Sequence, residues 1–396
     1  MDVVVVDAVR SPRGSARETG ALHGLTPMEL LAGLLRALRD RTGVDTEQVA
    51  DGVFGCVTQT AEQGGNVGKT ACLLADWSPR LSAVTINRYC ASGLSAVNWA
   101  AQQAQDAEGL AVAGGVEMMS RVPMFGDQAP YYSDRALGGR IGYVPPPWSS
   151  DLVATRHGFS RADCDGYAAL SQARALAARN RGLAVSMVPV HDAQGQLLLD
   201  HDENIRPANT LEKLATLRPV YEAGANGLDD WGLAREPELG HIEHVHTAGN
   251  APCMADGAAA VLLGKAEAAT RLGLRARARI LAHADACVPL TQTGAVDATR
   301  KALARAGLTV ADIDLWEVRD SFAAITLHYI RSLGIPLEKF NVNGSSIALG
   351  HPMGATGAML VSCLLDEMDT RDLRYGVAAL PGAFGVATAT VFERLG

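Results

Sequence analysis

The sequence predicts a layered α/β fold. Strand-like and helix-like segments alternate over residues 3–118 and alternate again after residue 247. Between them, residues 120–244 carry three consecutive prolines, several Gly, Asp and Asn clusters and only moderate periodicity. A long excursion of this kind usually carries substrate contacts. We therefore expect a core built from the two alternating stretches, with the middle stretch set into it.

The individual elements follow from apolar runs and from helical spacing of apolar residues. In the first part, predicted strands cover residues 3–6, 51–57, 84–87 and 110–115, and predicted helices cover 27–41, which begins with proline, and the small-residue segment 91–107. The clearest helix of the middle stretch covers residues 161–180. After it, predicted strands cover 278–282, 313–318, 375–380 and 386–392, and predicted helices cover 296–306, 321–333 and 355–368.

The two alternating parts resemble each other in order. In the first, an extended segment ends at Cys90 and leads into a helix of small residues. In the second, residues 341–344 lead through Gly350 and His351 into another such helix. This order predicts an internal duplication, although the identity between the halves is low. In a duplicated fold, Cys90 and His351 would occupy comparable ends of comparable units and meet across a pseudo-twofold axis.

Composition excludes several classes of function. The chain has 396 residues, a net charge of −8 and no Lys/Arg cluster, which argues against nucleic acid as a main partner. It begins with a buried strand rather than a signal peptide, and no apolar run reaches the roughly 18 residues of a membrane span. The seven cysteines lack paired spacing, and none forms a C-x-x-C pair. We expect a cytoplasmic protein without a membrane segment or a metal.

Cys90 is the first candidate for chemistry. It precedes Ala-Ser-Gly at the predicted start of a helix. The free N–H groups and the dipole of a helix N-terminus stabilise a thiolate, which is the nucleophilic form of cysteine. The alternative is a buried structural cysteine, the interpretation we keep for the other six.

His351 is the second candidate. It lies in a loop whose glycines and proline fix the backbone and allow a ligand to approach closely. A histidine there suits a base for Cys90 or a hydrogen-bond donor to a developing oxyanion. A lone histidine in such a loop is more often structural, but a Cys–His pair in matching half-units favours the catalytic interpretation.

Three motifs resemble those of thiolases. Residues 87–93 read Asn-Arg-Tyr-Cys-Ala-Ser-Gly and are followed by Gly-Gly-Val-Glu-Met-Met-Ser at 114–120. Residues 247–251 read Thr-Ala-Gly-Asn-Ala and are followed by Asp-Gly-Ala-Ala at 256–259. Residues 343–352 read Asn-Gly-Ser-Ser-Ile-Ala-Leu-Gly-His-Pro. The likeness runs from residue 3 to residue 394 and is strongest to bacterial thiolases that degrade acyl-CoA.

The resemblance implies a duplicated five-layer αβαβα fold with an inserted loop domain. The N-terminal half would comprise residues 1–119 plus 245–268, the loop domain 120–244 and the C-terminal half 269–396. The substrate would be an acyl-CoA or acyl-carrier-protein thioester, with no permanently bound cofactor. The protein would form a homodimer or homotetramer.

The resemblance also assigns roles to residues. Thiolases use a cysteine that accepts the acyl group and a histidine that activates it, matched here by Cys90 and His351. They hold an oxyanion-hole water with an asparagine, a position occupied here by Arg319. Their second cysteine, which moves the α-proton, is replaced by Pro381, and its glycine partner by Ala383. Proline has no proton to transfer, but the N–H groups of Ala383 and Cys90 would still form an oxyanion hole.

The role of Arg319 stays open at this stage. Its five donors suit stabilisation of an oxyanion, binding of a carboxylate on an unusual substrate, or an ion pair with Asp320. Pro252 replaces a serine that usually helps to bind the pantetheine arm, and Arg218 is placed either near the coenzyme A phosphates or simply at the surface. The predicted substrate and coenzyme A contacts are Trp148, Arg218, Ala248, Pro252 and Phe322.

Three functions follow. The first is a thiolase-like acyltransferase that passes the acyl group from Cys90 to an atypical acceptor, such as an amine, an alcohol, an activated ring carbon or a carrier-protein thioester, in specialised biosynthesis. The second is an ordinary acetyl-CoA C-acyltransferase in which another residue moves the proton. The third is a non-catalytic scaffold, which retention of both Cys90 and His351 disfavours.

Overall fold

The computed structural model describes residues 2–106, 109–182 and 185–396. The predicted elements are present, with bounds that differ by a few residues. Residue 107, the last of one predicted helix, lies outside the described residues. The strands are β1 (Val3–Arg10), β2 (Gly14–Ser15), β3 (Val49–Gly55), β4 (Ser82–Ile86), β5 (Leu110–Met118), β6 (Val190–His191), β7 (Leu197–Leu199), β8 (Ala255–Lys265), β9 (Ala278–Cys287), β10 (Leu315–Val318), β11 (Tyr375–Pro381) and β12 (Val386–Arg394).

The α-helices show local signals that explain their bounds. In the first helix, Thr26 and Glu29 form a capping box, proline occupies the first turn and Gly43 ends the helix in a left-handed conformation. The helices are α1 (Pro27–Thr42), α2 (Val67–Leu74), α3 (Ser92–Asp106), α4 (Arg135–Ile141), α5 (Pro146–His157), α6 (Arg161–Arg181), α7 (Leu211–Ala215), α8 (Leu228–Leu233), α9 (Ala266–Arg271), α10 (Gly294–Ala306), α11 (Ala323–Leu333), α12 (Ser346–Leu349) and α13 (Met353–Thr370).

The sheet order confirms the predicted duplication. The strands follow the order β4-β3-β5-β8-β1-β9-β12-β11-β10. In the first half, β3 is parallel to β4 and β5, whereas β8 is antiparallel to β5 and β1. In the second half, β10 is parallel to β11, and β12 is antiparallel to β11 and β9. A parallel bridge between Trp316 and Phe340 occupies the place that β4 holds in the first half.

The layers are held together by three hydrophobic cores. The central core packs α3 and α13 against both halves of the sheet, and residues such as Val97, Leu360 and Leu380 are fully or almost fully buried there. A second core lies under α1 and α2 on the outer face of the first half. A third lies under α10 and α11 on the outer face of the second half. This arrangement is the predicted αβαβα stack.

The loop region, residues 120–244, contains α4 to α8 and the β6–β7 pair. Its helices α5 and α6 pack on α11, and α6 also packs on α12. The three prolines at residues 145–147 begin α5, because proline fits the first turn of a helix. Within the described ranges, no helix combines the length and apolar character that a membrane crossing needs.

Candidate active site

Cys90 lies two residues before α3, close to the helix start that the sequence predicts, and is half-buried. The preceding residue, Tyr89, has φ of 49°, in the left-handed region that costs a non-glycine residue about 1–3 kcal/mol. Two side chains hold this turn. Asn87 accepts the Tyr89 N–H at 2.7 Å, and the Ser92 hydroxyl donates to the Tyr89 carbonyl at 2.6 Å. The turn therefore presents Cys90 in a fixed position at a helix N-terminus.

The first turns of α3 and α13 meet at backbone contact. A Cβ atom on Gly93 would lie 2.6 Å from the Gly354 carbonyl oxygen, and one on Gly357 would lie 1.9 Å from the Leu94 nitrogen. Only glycine allows such an approach. This crossing brings the start of α13, with His351 two residues before it, to the same end of the central layer as Cys90.

A buried carboxylate fixes the loop that enters α13. Glu117, at the end of β5, is fully buried and accepts the Gly354 N–H at 2.9 Å. It also accepts the N–H groups of Val57 and Thr58 and the Gln63 side-chain amide. Burial raises the pKa of Glu117, whereas these hydrogen bonds oppose the shift.

The ring of His351 is buried and is held by one hydrogen bond. It is 6% exposed, and its Nδ1 lies 2.8 Å from the Thr356 hydroxyl, which itself donates to the Pro352 carbonyl at 3.2 Å. Since that hydroxyl proton is already donated, we infer that Nδ1–H donates to Thr356 and that Nε2 carries the lone pair. Nε2 has no partner within the described part of the chain. Burial and the nearby Arg319 and Arg13 lower the pKa of His351 well below its usual value, so the ring is neutral at pH 7.

Arg319 lies one residue after β10, whose parallel pairing with β11 places it beside Pro381. It is 3% exposed, its Nη1 donates to the Pro381 carbonyl at 3.0 Å, and its Nε has no partner among the described residues. Burial lowers the pKa of the guanidinium, and its proximity to Cys90 opposes this shift. The two positions that depart from the thiolase pattern, Arg319 and Pro381, are therefore in direct contact.

The ion pair between Arg319 and Asp320 that the sequence allowed is not formed. Asp320 faces the other way and accepts the Ile347 N–H at 2.8 Å and the Ser171 hydroxyl at 3.0 Å. Burial raises its pKa to about 7. Adjacent residues just beyond a strand point to opposite sides, and this alternation separates the two groups. Arg319 is left as a buried cation that forms no direct ion pair among the described residues, although the nearby charge of Asp320 opposes the lowering of its pKa.

Ala383 begins a short turn (Ala383–Gly385) between β11 and β12 and is half-buried. The preceding Gly382 lies against the turn that holds Cys90, because a Cβ atom there would be 3.6 Å from the Ala91 nitrogen. Phe384, which follows, has φ of 57°. This closeness is consistent with the proposed oxyanion hole of the Cys90 and Ala383 N–H groups.

The predicted substrate contacts lie in different environments. Arg218 and Ala248 are exposed and Pro252 is half-buried, so all three remain accessible to a ligand. Phe322 is 7% exposed and packs edge-on against His246 at 5.5 Å. Trp148 is fully buried, and its indole N–H donates to Asp229 at 2.7 Å. Because no face of the indole is exposed, the predicted contact with substrate is wrong. Trp148 supports the interior of the loop region instead.

Two features of the site were not found from the sequence. Asp151 lies 2.8 Å from His244 and 2.7 Å from His246, and the His246 ring packs edge-on against Phe322. A cluster of aromatic rings lies beside the turn that holds Cys90, where Tyr89 and Phe384 have ring centroids 5.4 Å apart. In the described ranges, no group of three or more His, Cys, Asp or Glu side chains forms a metal site.

A cysteine at a helix N-terminus, a neutral histidine and a nearby cation are groups that suit acyl transfer through a cysteine nucleophile. Comparisons with known proteins agree. A family model for the thiolase N-terminal domain matches residues 3–228, and one for the thiolase C-terminal domain matches residues 274–394. The chain is 38% identical to a 3-ketoacyl-CoA thiolase of Aeromonas hydrophila, over 100% of both chains. It is 39% identical to a 3-ketoacyl-CoA thiolase of Hahella chejuensis, over 100% of this chain and 98% of the relative.

The chain therefore belongs to the thiolase family. It is an acyltransferase, and its substrate is a coenzyme A thioester.

Proposed function

We propose that the protein transfers acyl groups by breaking or forming the C2–C3 bond of a 3-ketoacyl-CoA, through an acyl-Cys90 intermediate. In the cleavage direction, the Cys90 sulfur attacks the C3 carbonyl. The C2–C3 bond then breaks, leaving the acyl group on sulfur and the electron pair on the enolate of the departing thioester. After that enolate is protonated, coenzyme A attacks acyl-Cys90 and releases the shortened acyl-CoA. Relatives that cover the whole chain and are named 3-ketoacyl-CoA thiolases favour this reaction over transfer to an unusual acceptor.

The observation that carries the proposal is the contact between Arg319 and Pro381. The residue that moves the proton in thiolases is replaced here by Pro381, which has no ionisable group. The buried cation of Arg319 lies beside Pro381. A guanidinium stabilises an enolate oxygen more strongly than a water held by asparagine does, because it is charged and lies in a poorly solvated site. Arg319 thus makes the enolate a better leaving group.

His351 handles the proton in this scheme. Its Nε2 lone pair accepts the proton of Cys90, and the resulting imidazolium returns it to C2 of the enolate. The neutral state of His351 at pH 7 and its unpartnered Nε2 support this assignment. A single acid–base group then serves both half-reactions, at a cost in rate of about 10²–10⁴ relative to an enzyme that uses two.

Steady-state thiolysis tests the proposal. Acetoacetyl-CoA and 3-ketohexanoyl-CoA are incubated with coenzyme A, and the loss of substrate is followed. We expect slow cleavage that requires Cys90 and becomes at least about tenfold faster in Pro381→Cys, since that change restores a second acid. Pro381→Ala is the matched control, and it should stay slow. Absence of cleavage in both the original chain and Pro381→Cys would contradict the proposal.

Pro381 itself favours one other candidate function. An enzyme that passes the acyl group to an amine, an alcohol, an activated ring carbon or a carrier-protein thioester does not need an acid at this position. This candidate predicts that simple acyl-CoAs acylate Cys90 while 3-ketoacyl-CoAs are not cleaved. In either case we expect the protein to act in the cytoplasm as a homodimer or homotetramer.

A further inference from the structure

An aromatic-lined cavity lies beside the turn that holds Cys90. It has a volume of about 320 Å³ and is lined by Tyr131, Tyr132, Tyr143, Tyr221 and Trp231. Only 5% of the chain is aromatic, yet four of its eight tyrosines line this one cavity. A cavity of roughly 150 Å³ is enough to hold benzene.

Aromatic contacts connect the lining of the cavity to the turn that holds Cys90. The rings of Tyr131 and Tyr143 each lie 5.4 Å from the ring of Phe384, which follows Ala383. Tyr89, which precedes Cys90, lies 5.4 Å from the same phenylalanine ring, and its hydroxyl is 3.5 Å from that of Tyr131. One layer of rings therefore separates the cavity from the two residues that form the oxyanion hole.

Trp231, in the far wall, packs against two other side chains. The outer face of Trp231 is covered by the Arg235 guanidinium at 3.8 Å, and its edge packs against buried Trp148 at 6.1 Å. Burial raises the pKa of Tyr131 to about 12, so its phenol stays neutral at physiological pH. Neutral rings arranged in this way attract another ring through stacked and edge-to-face contacts, each worth about 0.5–1.5 kcal/mol beyond the buried area.

We propose that this cavity binds an aromatic ring carried on the acyl chain, so that aryl-substituted acyl thioesters are the substrates that acylate Cys90 best. The inference rests on the proposed function and names its substrate class. The adenine of coenzyme A offers similar chemistry, but its pantetheine arm and pyrophosphate separate it from the thioester. Tyr131 and Tyr143 line the cavity and pack on Phe384, the neighbour of Ala383, so a ring bound there lies one aromatic layer from the reacting carbonyl, which favours the acyl chain.

Glycine 139 allows a direct test. Gly139 lies in α4 on the cavity wall, and a Cβ atom there would be 3.6 Å from the Trp231 indole nitrogen, an ordinary contact distance. Gly139→Leu should fill the cavity without a backbone clash. The matched control is Gly166→Leu, also in a helix, where an added Cβ atom meets nothing within 4 Å.

The experiment measures the second-order rate of Cys90 acylation by intact mass. The probes are 3-phenylpropanoyl, 3-cyclohexylpropanoyl and acetyl thioesters of N-acetylcysteamine, which lack adenine, and of coenzyme A. We expect the phenyl compound to react at least about tenfold faster than the acetyl and cyclohexyl compounds on both carriers. Gly139→Leu should lower the phenyl-to-acetyl ratio about tenfold, and Gly166→Leu should retain it.

The outcomes are distinguishable. Equal rates for all three acyl groups, or an unchanged ratio in a folded Gly139→Leu, would overturn the aromatic-ring inference alone. A preference seen only with coenzyme A, and for every acyl group, would assign the cavity to adenine and also overturn it. If Gly139→Leu does not fold, Tyr143→Leu provides the same comparison by removing one wall. No acylation by any thioester would overturn the proposed function as well.

Discussion

Replacement of Arg319 by methionine should make the protein more stable and less active. Arg319 is 3% exposed, donates one hydrogen bond at 3.0 Å to the Pro381 carbonyl and has an unpartnered Nε. In the described part of the chain no carboxylate pairs directly with it, and Asp320 acts on it only through its charge. Such a charge is expensive to bury, and a purely structural role would not explain its presence.

The magnitudes follow from the contacts. Replacing a buried charge by an apolar residue of similar size gains about 1–4 kcal/mol, and losing the bond to Pro381 costs about 1 kcal/mol. We therefore expect a net change of about 0–3 kcal/mol in the free energy of unfolding, in the stabilising direction. Loss of a donor to the enolate oxygen should lower kcat about 10²–10³-fold. Because Arg319 also helps to lower the pKa of His351, the acidic limb of the kcat/KM profile should move to higher pH.

Urea denaturation and thiolysis rates measure the two effects. Arg10→Met is the control, because Arg10 is also buried but holds Asp202 through two hydrogen bonds of 2.9 and 3.0 Å. Removing it leaves the buried Asp202 with Arg13 at 3.7 Å and should destabilise the protein by about 3 kcal/mol. An Arg319→Met variant that is less stable than the original chain, or that retains its rate and pH profile, would refute the reasoning.

Three further predictions concern supporting groups. Thr356→Val removes the acceptor of the His351 Nδ1–H and should lower kcat about tenfold with little change in KM, measured by steady-state kinetics. Gly357→Ala places a Cβ atom 1.9 Å from the Leu94 nitrogen and should lower the thermal midpoint by several degrees, seen by circular dichroism. Burial raises the pKa of Glu317 from 4.5 to about 8. Between these pH values the folded protein keeps a proton on Glu317 that the unfolded chain has lost, so the stability of the folded protein falls as the pH rises. Glu317→Gln should therefore stabilise the protein by an amount that grows about 1.4 kcal/mol per pH unit over that range, measured by urea denaturation at several pH values.

The layers could be predicted from the sequence, and Cys90 and His351 could be proposed as catalytic, because the signals for both are local. Apolar runs and helical spacing mark the strands and helices, and the glycines near Cys90 and His351 lie next to them in the chain. Strand β8 was less apparent, because alanine and glycine occupy much of this buried strand and hide its pattern.

Contacts between distant segments could not be predicted from these signals. The orientation of Asp320 away from Arg319 depends on Ile347 and Ser171, which lie elsewhere in the chain. The burial of Trp148 depends in the same way on Asp229. The aromatic cavity is built from rings spread from residue 131 to residue 231, and no short motif connects them.

Mass spectrometry of the acyl-enzyme tests the central claim most directly. The protein is mixed with a 3-ketoacyl-CoA in the absence of free coenzyme A, quenched in acid, digested and mapped. We predict one acyl group per chain on the peptide that contains Cys90, together with one equivalent of the departing acyl-CoA, and no adduct in Cys90→Ala. An unmodified Cys90 peptide, or an acyl group on another cysteine that persists in Cys90→Ala, would contradict the account.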